Sequence, residues 1–565
     1  MKTKGAPSKV EAVKRSSDGL RQGLAAGLAG AAPAFDDDGY HLLKFHGIYQ
    51  GYDRDSATER KQHGLDKEHQ FMVRVRIPGG RLTARQYLAL DDLADRYANG
   101  TLRVTTRQSI QFHGVIKREL KESIAAVNHA LLTTLAACGD VVRTVTTVAA
   151  PIRDAAHRRL EDDARALSAN LLPRTSAYHE LWLDGERVAG LDEDALYGTA
   201  YLPRKFKIGL ALPEDNSVDV LTNDLAVIAL YEGETLAGYN IALGGGLGMT
   251  HNNPKTFPRL ATPVAFIAPE DLIAAAIAVV KLHRDHGDRS ERRHARLKYL
   301  IAERGEAWAK AELEAILGKP LAPPRPMPKF AVKDHLGWHE QGDGKLYLGI
   351  PVASGRILDV PGGAQLKTAL RALCRGFGAD PILTPQQDVI LSNIAPGDRF
   401  AIETLLEGLG VPRAEELAPV ERWALACPAL PTCGLALTEA ERVREPMIGA
   451  IKQELAQAGL AGEQLSIRIT GCPNGCARPY AGDIGIVGRM PGFYQLWVGG
   501  DFAGTRLSFP LLDRVAEAAI AAQLGVLFRC FAEARRSGEG FGDFCHRIGK
   551  ERLAALFGEP LKAAS

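Results

Sequence analysis

Four of the eight cysteines lie between residues 427 and 476. Cys427 and Cys433 have five residues between them; 38 residues later come Cys472 and Cys476, with three between. Four thiolates, one per iron, are what a [4Fe–4S] cluster requires. The second pair sits in ITGCPNGCARPY, where Pro473 and Gly475 favour a tight turn that puts both sulfurs on one side. The first pair, in ACPALPTCGLALTEAER, has Pro428 and Pro431 holding an open loop ahead of a helix. Zinc is the main rival, although structural zinc sites favour gaps of two to four residues in both pairs. Buried inert cysteine is the third reading. A radical-type cluster would want three closely spaced cysteines, and no third closes up behind Cys476.

A second constellation is cationic. Arg74 and Arg76 alternate with apolar residues in FMVRVRIPGG, so one is expected to line a cavity and the other to lie near it. Arg103 and Arg107 sit in LRVTTRQ, Arg143 in GDVVRTV, and Lys205 and Lys207 in YLPRKFKIG. Taken singly, each is ordinarily a solvated surface group. Together, cations on apolar strands call for anions, because burying unpaired charge is expensive. A polycarboxylate cofactor with a small oxyanion substrate would fit. The stretch YNIALGGGLGM, Tyr239 to Met249, runs a strand into a glycine-rich turn that is not a dinucleotide fingerprint. It suits close backbone approach to a flat ligand or a simple tight turn. His46 and His113 share an FHG context, in which packing histidines are the commoner outcome.

The elements that must position these groups show a faint duplication. Phe71 to Gly114 reads strand, helix (ARQYLALDDLADRYA), then strand and turn; Tyr347 to Ile394 repeats that order. Thr105-Thr106-Arg107-Gln108 and Thr384-Pro385-Gln386-Gln387 fall in corresponding places. Between the halves, KPLAPPRPMPKF carries five prolines, which no helix continues through. Residues 271 to about 317 read as helical, and their basic stretch from Lys281 to Lys298 reads as a solvated helix face or a patch for an acidic redox partner.

The whole chain has 565 residues, 46% hydrophobic and 24% charged, which excludes dominant disorder. Its longest aliphatic run, Leu272 to Val280, is far too short to span a membrane. With 69 basic against 67 acidic residues, no bulk field recruits nucleic acid or an anionic membrane. The basic, small-residue-rich N-terminus lacks a clean apolar core for a targeting peptide and reads as a mobile arm. Cysteine usage suggests reduced thiols in the cytoplasm.

FHGIYQGYDRD, RVRIPGG, TTRQSIQFHG, LLPRTSAYHELWLDGE, YLPRKFKIG, GGGLG, CPALPTC and TGCPNGCARP, in this order, resemble the siroheme nitrite and sulfite reductases, most closely the assimilatory sulfite reductase hemoproteins. The resemblance runs from about residue 40 to 550. It implies an α+β, pseudo-two-fold fold with paired ferredoxin-like half-domains and two larger α/β domains. The expected division is an N-terminal arm (1–65), a first half-domain (66–140), a first siroheme-binding domain (141–318), a Pro-rich linker (319–330), a second half-domain (331–415) and a cysteine-bearing domain (416–565).

The resemblance further implies that Cys427, Cys433, Cys472 and Cys476 hold a [4Fe–4S] cluster, with Cys476 also the axial ligand of siroheme. Arg74, Arg143, Lys205 and Lys207 would bind the substrate anion, and Arg103, Thr105, Thr106, Arg107, Gln111, His113, Arg204 and Gln387 would contact siroheme. After Arg143 the chain reads TVTTVAAP where the hemoproteins carry an Asn–Val–Leu–Cys-like run, so the loop there departs from the pattern. The implied reaction is six-electron reduction of sulfite to sulfide, with a separate flavoprotein or ferredoxin as donor. Nitrite reduction is the alternative; Lys207 favours sulfite, a dianion near neutrality, over the monoanion nitrite. A metal-stabilised binding module without catalysis is the reading from another class.

Overall fold

The computed structural model describes residues 5–175, 181–183, 186–189 and 194–558, the backbone alone for 181–183 and 186–189. Part of the LLPRTSAYHELWLDGE motif therefore lies outside the described residues. No helix among those described is long and apolar enough to cross a membrane.

The repeated pattern folds as two similar small sheets. In the first, strands run in the order Ile48–Tyr52, His69–Arg74, Ile110–Val115, Leu102–Val104. In the second the order is Gly337–Glu340, Leu346–Ile350, Val389–Ile394, Asp380–Leu383. Helix Ala84–Tyr97 starts at a capping box: Thr83 accepts from the Gln86 backbone and the Gln86 side chain from that of Thr83. It turns Tyr87, Leu90 and Ala94 inward, one face at helical spacing. It packs on its counterpart, Leu366–Phe377, where Asp91 meets Arg371 and, at 3.6 Å, Lys367. One hydrophobic core serves both halves, with Phe71, Tyr87 and Ile110 joined to Leu370, Val389 and Leu391.

The halves also trade strands. Arg356–Ile357 of the second pairs antiparallel with Leu102–Val104 of the first, and Arg81 bridges to Ile382. Two buried glutamines lock the exchange. Gln108 donates to the carbonyls of Gly79 (3.0 Å) and Leu383 (3.1 Å) and accepts from the Thr147 backbone (2.9 Å). Gln387 donates to Ser354 (3.2 Å) and Val104 (3.5 Å) and accepts from Ala426 (3.3 Å). Each therefore ties its own half to a strand end of the other and to the segment that follows. Each ends a turn with positive φ, Gln108 at 51° and Gln387 at 75°. In each turn the opening threonine, Thr105 or Thr384, accepts from two following backbone N–H groups.

The larger parts repeat as well. Ile208–Ala211, Leu225–Glu232, Thr235–Leu243 and Thr262–Ile267 form a sheet with one parallel and two antiparallel pairings. Ile467–Thr470, Ile484–Met490, Phe493–Val498 and Phe509–Ala516 repeat it, with Ala424–Ala426 added in parallel. The proline-rich segment lies along the first of these sheets, where Asn240 pairs with both the carbonyl (2.8 Å) and the N–H (2.9 Å) of Arg325.

Two expectations need correction. The N-terminal residues are not a mobile arm: helix α1 (Lys9–Arg15) buries Glu11 and Lys14, Leu20 enters the core, and Ile48–Tyr52 is a sheet strand. Nor is the basic stretch one solvated helix. The helix Leu272–His286 ends at Gly287, and the next α-helix begins only at Leu297. Between them Arg289, Arg292 and Arg296 turn inward onto Glu11, Asp140 and Asp224.

Because each glutamine satisfies three buried backbone groups, Gln108→Leu and Gln387→Leu are each expected to cost about 2–4 kcal/mol. Urea unfolding checks this; a loss confined to one variant would refute their equivalence.

Candidate functional site

Two parallel strands bring the thiols together. Ala424–Ala426 runs into Cys427, and its neighbour Ile467–Thr470 runs into Gly471 and Cys472, so both thiols emerge at the same end of the sheet. Gly471 admits no side chain: an added Cβ would lie 2.6 Å from that of Ala429 and 2.7 Å from the Thr438 carbonyl. Its N–H donates to Cys427 Sγ at 3.3 Å, and Asn474 donates to Cys472 Sγ at 3.5 Å. Leu437 and Thr438 both donate to the Gly471 carbonyl, drawing the Cys433 loop onto the same point.

Burial first, and then the charges of Cys476, Cys472 and Cys433, push the Cys427 thiol well above its ordinary range. Burial and Cys476 likewise raise Cys433, and push Cys472 up to about 12. Four ionised sulfurs can share this space only around a positively charged core. Among the described residues no three His, Cys, Asp or Glu side chains are grouped to hold one metal ion. All eight cysteines are free thiols.

Cys476 opens onto a cavity whose walls include Thr106, Arg107, Lys205, Lys207, Arg296 and Arg478. The Thr106 hydroxyl donates to the Cys476 carbonyl at 3.1 Å, joining the first half-domain to the cysteine turn. Arg107 donates to Asn223 Oδ1 (2.9 Å) and to the carbonyls of Ile208 (3.2 Å) and Thr144, while its Nε has no partner among the described residues. No hydrogen bond within the described residues engages the amine of Lys205 or Lys207. Burial, then Lys207 and Arg143, holds Lys205 well below its ordinary range; for Lys207 the causes are burial, then Arg107 and Arg296. Asp224 accepts from the Lys207 backbone (2.9 Å) and takes Arg296 through both oxygens at 3.0 and 2.8 Å.

Arg143 donates to the Gly139 carbonyl (3.1 Å) and the Tyr49 hydroxyl (3.4 Å), and Arg74 donates to Cys138 Sγ (3.1 Å). Both lie close enough to Arg107 to lower its proton affinity after burial. Arg76 faces the interior, bonded to Ser168 Oγ (3.1 Å) and the carbonyls of Ala136 and Val142.

The other expected residues have protein partners. Arg103 pairs with Glu441 (3.0 Å), Gln111 meets Met72 sulfur (3.4 Å), and His113 meets Arg356 (3.2 Å). Thr105 and Gln387 brace their turns through the bonds already given. Arg204 lies 3.8 Å from Asp140. TVTTVAAP runs beside the first large sheet, the Thr146 N–H donating to the Ile208 carbonyl at 3.2 Å.

Arg296, Asn223, Asn474 and Arg478 on the cavity wall escaped sequence reasoning. Asn474 and Arg478 flank the cysteines and were within reach of it; Arg296 was hidden in a stretch read as a helix face. The glycine run serves close approach within the protein, since a Cβ on Gly245 would lie 2.2 Å from the Leu221 carbonyl. Gly248 reaches the cavity.

The nitrite and sulphite reductase 4Fe-4S domain profile matches residues 162–321, and the nitrite/sulfite reductase ferredoxin-like half domain profile matches 63–130. Both matches fall on the first copy, which carries none of the four clustered cysteines. The chain is 46% identical to "Sulfite reductase [ferredoxin]" of Synechococcus elongatus, over 97% of this chain and 90% of that protein. It is 47% identical to "Sulfite reductase [NADPH] hemoprotein beta-component" of Myxococcus xanthus, over 96% of each. The solved structure of the Mycobacterium tuberculosis NirA protein shares the fold, with a TM-score of 0.78 at 23% identity over 97% of this chain and 98% of that one.

Removing Arg296 would leave Asp224 buried without its bidentate partner. Arg296→Leu is expected to lower unfolding free energy by about 3–5 kcal/mol, measurable in urea; a near-neutral result would show that other groups compensate Asp224.

Proposed function

The chain belongs to the nitrite and sulfite reductase family, and on that premise we propose that it is an assimilatory sulfite reductase hemoprotein, reducing sulfite to sulfide with six electrons. One observation carries the substrate reading. Lys205 and Lys207, whose amines have no hydrogen-bond partner among the described residues, face the same cavity as Cys476. Two ammonium groups with no protein acceptor suit a compact dianion better than a monoanion.

The residues present fit both cofactors. Cys427, Cys433, Cys472 and Cys476 would hold a [4Fe–4S] cluster, and Cys476, which opens onto the cavity, would also bind the siroheme iron. Thr106 and Arg107 line the cavity, and the unpartnered Arg107 Nε is available to a carboxylate. Arg103, Thr105, Gln111, His113, Arg204 and Gln387 brace the surrounding walls. When bound, siroheme and cluster supply single electrons to an anion held at the iron.

The side chains manage charge and protons. Lys205 and Lys207, on the cavity wall, would hold the anion's oxygens, and Arg74 and Arg143 would add to the positive field that draws it in. Converting sulfite to sulfide releases three oxygens as water, which takes six protons with the six electrons. Arginine keeps its proton at nearly any pH, so the lysines are the direct donors. Their depressed proton affinity suits them to that role, since burial and neighbouring cations favour release. Electrons come from a separate protein; the relatives' names include both ferredoxin and NADPH forms. A reducing cytoplasm suits eight free thiols.

The deciding experiment compares kcat/KM for sulfite and nitrite with a common reduced donor. Sulfite is expected to lead clearly, and a preference for nitrite overturns the substrate reading. Lys205→Met should lower sulfite turnover at least about 100-fold with siroheme content unchanged. In the wild type, kcat/KM should decline as pH rises through the lowered lysine range, where the ammonium is lost. Full turnover in the heme-replete variant would remove the acid role.

A further inference from the structure

Helix α1 (Lys9–Arg15) buries two charged side chains, Glu11 and Lys14, each 1% exposed. Such burial is tolerated only when the partners are in place. Lys14 donates to the Leu202 carbonyl at 2.8 Å, pairs with Glu11, and lies 3.7 Å from Asp140. Glu11 also pairs with Arg289, which donates to the carbonyls of Tyr201 (2.7 Å) and Ala200 (3.3 Å). Three consecutive carbonyls, at 200, 201 and 202, are thus held by Arg289 and Lys14.

At that point the backbone turns sharply, with Tyr201 at φ 51°, into the strap that carries Lys205 and Lys207. The strap hangs on the segment leading to Arg143. Leu202 donates to the Asp140 carbonyl (3.0 Å), Phe206 to that of Val141 (3.1 Å), and Arg143 back to Phe206 (2.9 Å). The same Asp140 side chain meets Lys14, Arg204 and Arg292.

We propose that the N-terminal helix is a positioning element of the anion site, in which Glu11 and Lys14, through Arg289 and Asp140, fix the strap bearing Lys205 and Lys207. The proposal deepens the function given above and rests on those lysines binding the substrate. A donor displaced by about an ångström loses much of its effect, so the helix acts on substrate without touching it.

The test uses Lys14→Met in the full-length holoenzyme. Backbone hydrogen exchange in peptides covering residues 200–207 should accelerate at least about tenfold, and sulfite kcat/KM should fall about tenfold, through kcat as well as KM. Carbon monoxide affinity of the reduced enzyme should stay unchanged, because that ligand carries no charge for the lysines to hold. Unchanged exchange in the strap overturns the proposal, as does sulfite kcat/KM within twofold of wild type, or a parallel loss of carbon monoxide binding. Should Lys14→Met fail to fold, Glu11→Gln is measured in the same three ways, with the same changes expected and the same results overturning the proposal. A wild-type enzyme inert toward sulfite would sink the functional reading, whereas strap exchange still decides whether the helix holds the strap.

Discussion

Packing several guanidinium and ammonium groups into one partly dry space is costly, and two buried carboxylates make it possible here. Asp140 takes Arg292 at 2.7 and 3.1 Å and lies within 4 Å of Lys14 and Arg204. Burial alone would raise its pKa, yet Arg292, Lys14 and Arg204 hold it well below the usual carboxylate range. Its charge therefore persists through the neutral range, and its contribution is lost only as the medium turns strongly acid. Beside Lys207, Asp224 takes Arg296 through both of its oxygens. Neither carboxylate closes off Lys205 or Lys207. The arrangement neutralises Arg292 and Arg296 and leaves Lys205 and Lys207 on the cavity wall.

The duplicated backbone is chemically lopsided. Asp219 and Arg478 occupy matching places, each left-handed and each leading a 3-10 turn, Val220–Thr222 or Pro479–Ala481. Two residues ahead stand Ser217 in one copy and Cys476 in the other. Asp219 and Arg478 form an ion pair at 3.0 Å, so the copies meet through residues that symmetry would have made alike. In the turns, Arg107 corresponds to Gln386, a cation on one side and an amide on the other. On this repeated backbone, thiol and positive charge meet at one place, where Cys476 of one copy and Arg107 of the other line the same cavity.

Much of this was legible in the chain itself. The cysteine spacing, the alternating cations and the repeated strand–helix–strand order are local patterns, and the structure brings the four thiols and the Lys205–Lys207 strap together as they suggest. What stayed hidden depends on partners remote in sequence. Arg103 looks available until Glu441, 338 residues away, is seen against it. Arg296 lies in a stretch that periodicity assigns to a solvated face, and only the break at Gly287 turns it inward onto Asp224. Lys14 and Glu11 resemble an ordinary polar tail because their partners, Asp140 and Arg289, are distant too. Charge pairing across such separations leaves no periodic trace.

The exchanged strand has a bearing on how the molecule is made. The outer edge of the first small sheet is Leu102–Val104, and its partner, Arg356–Ile357, lies more than two hundred residues downstream. A nascent chain leaving the ribosome must therefore expose an unpaired strand edge, over a half-built core, while the whole first large sheet and the proline-rich stretch are still being translated. The first repeat is completed only by the second, which makes the pair a single unit of biosynthesis.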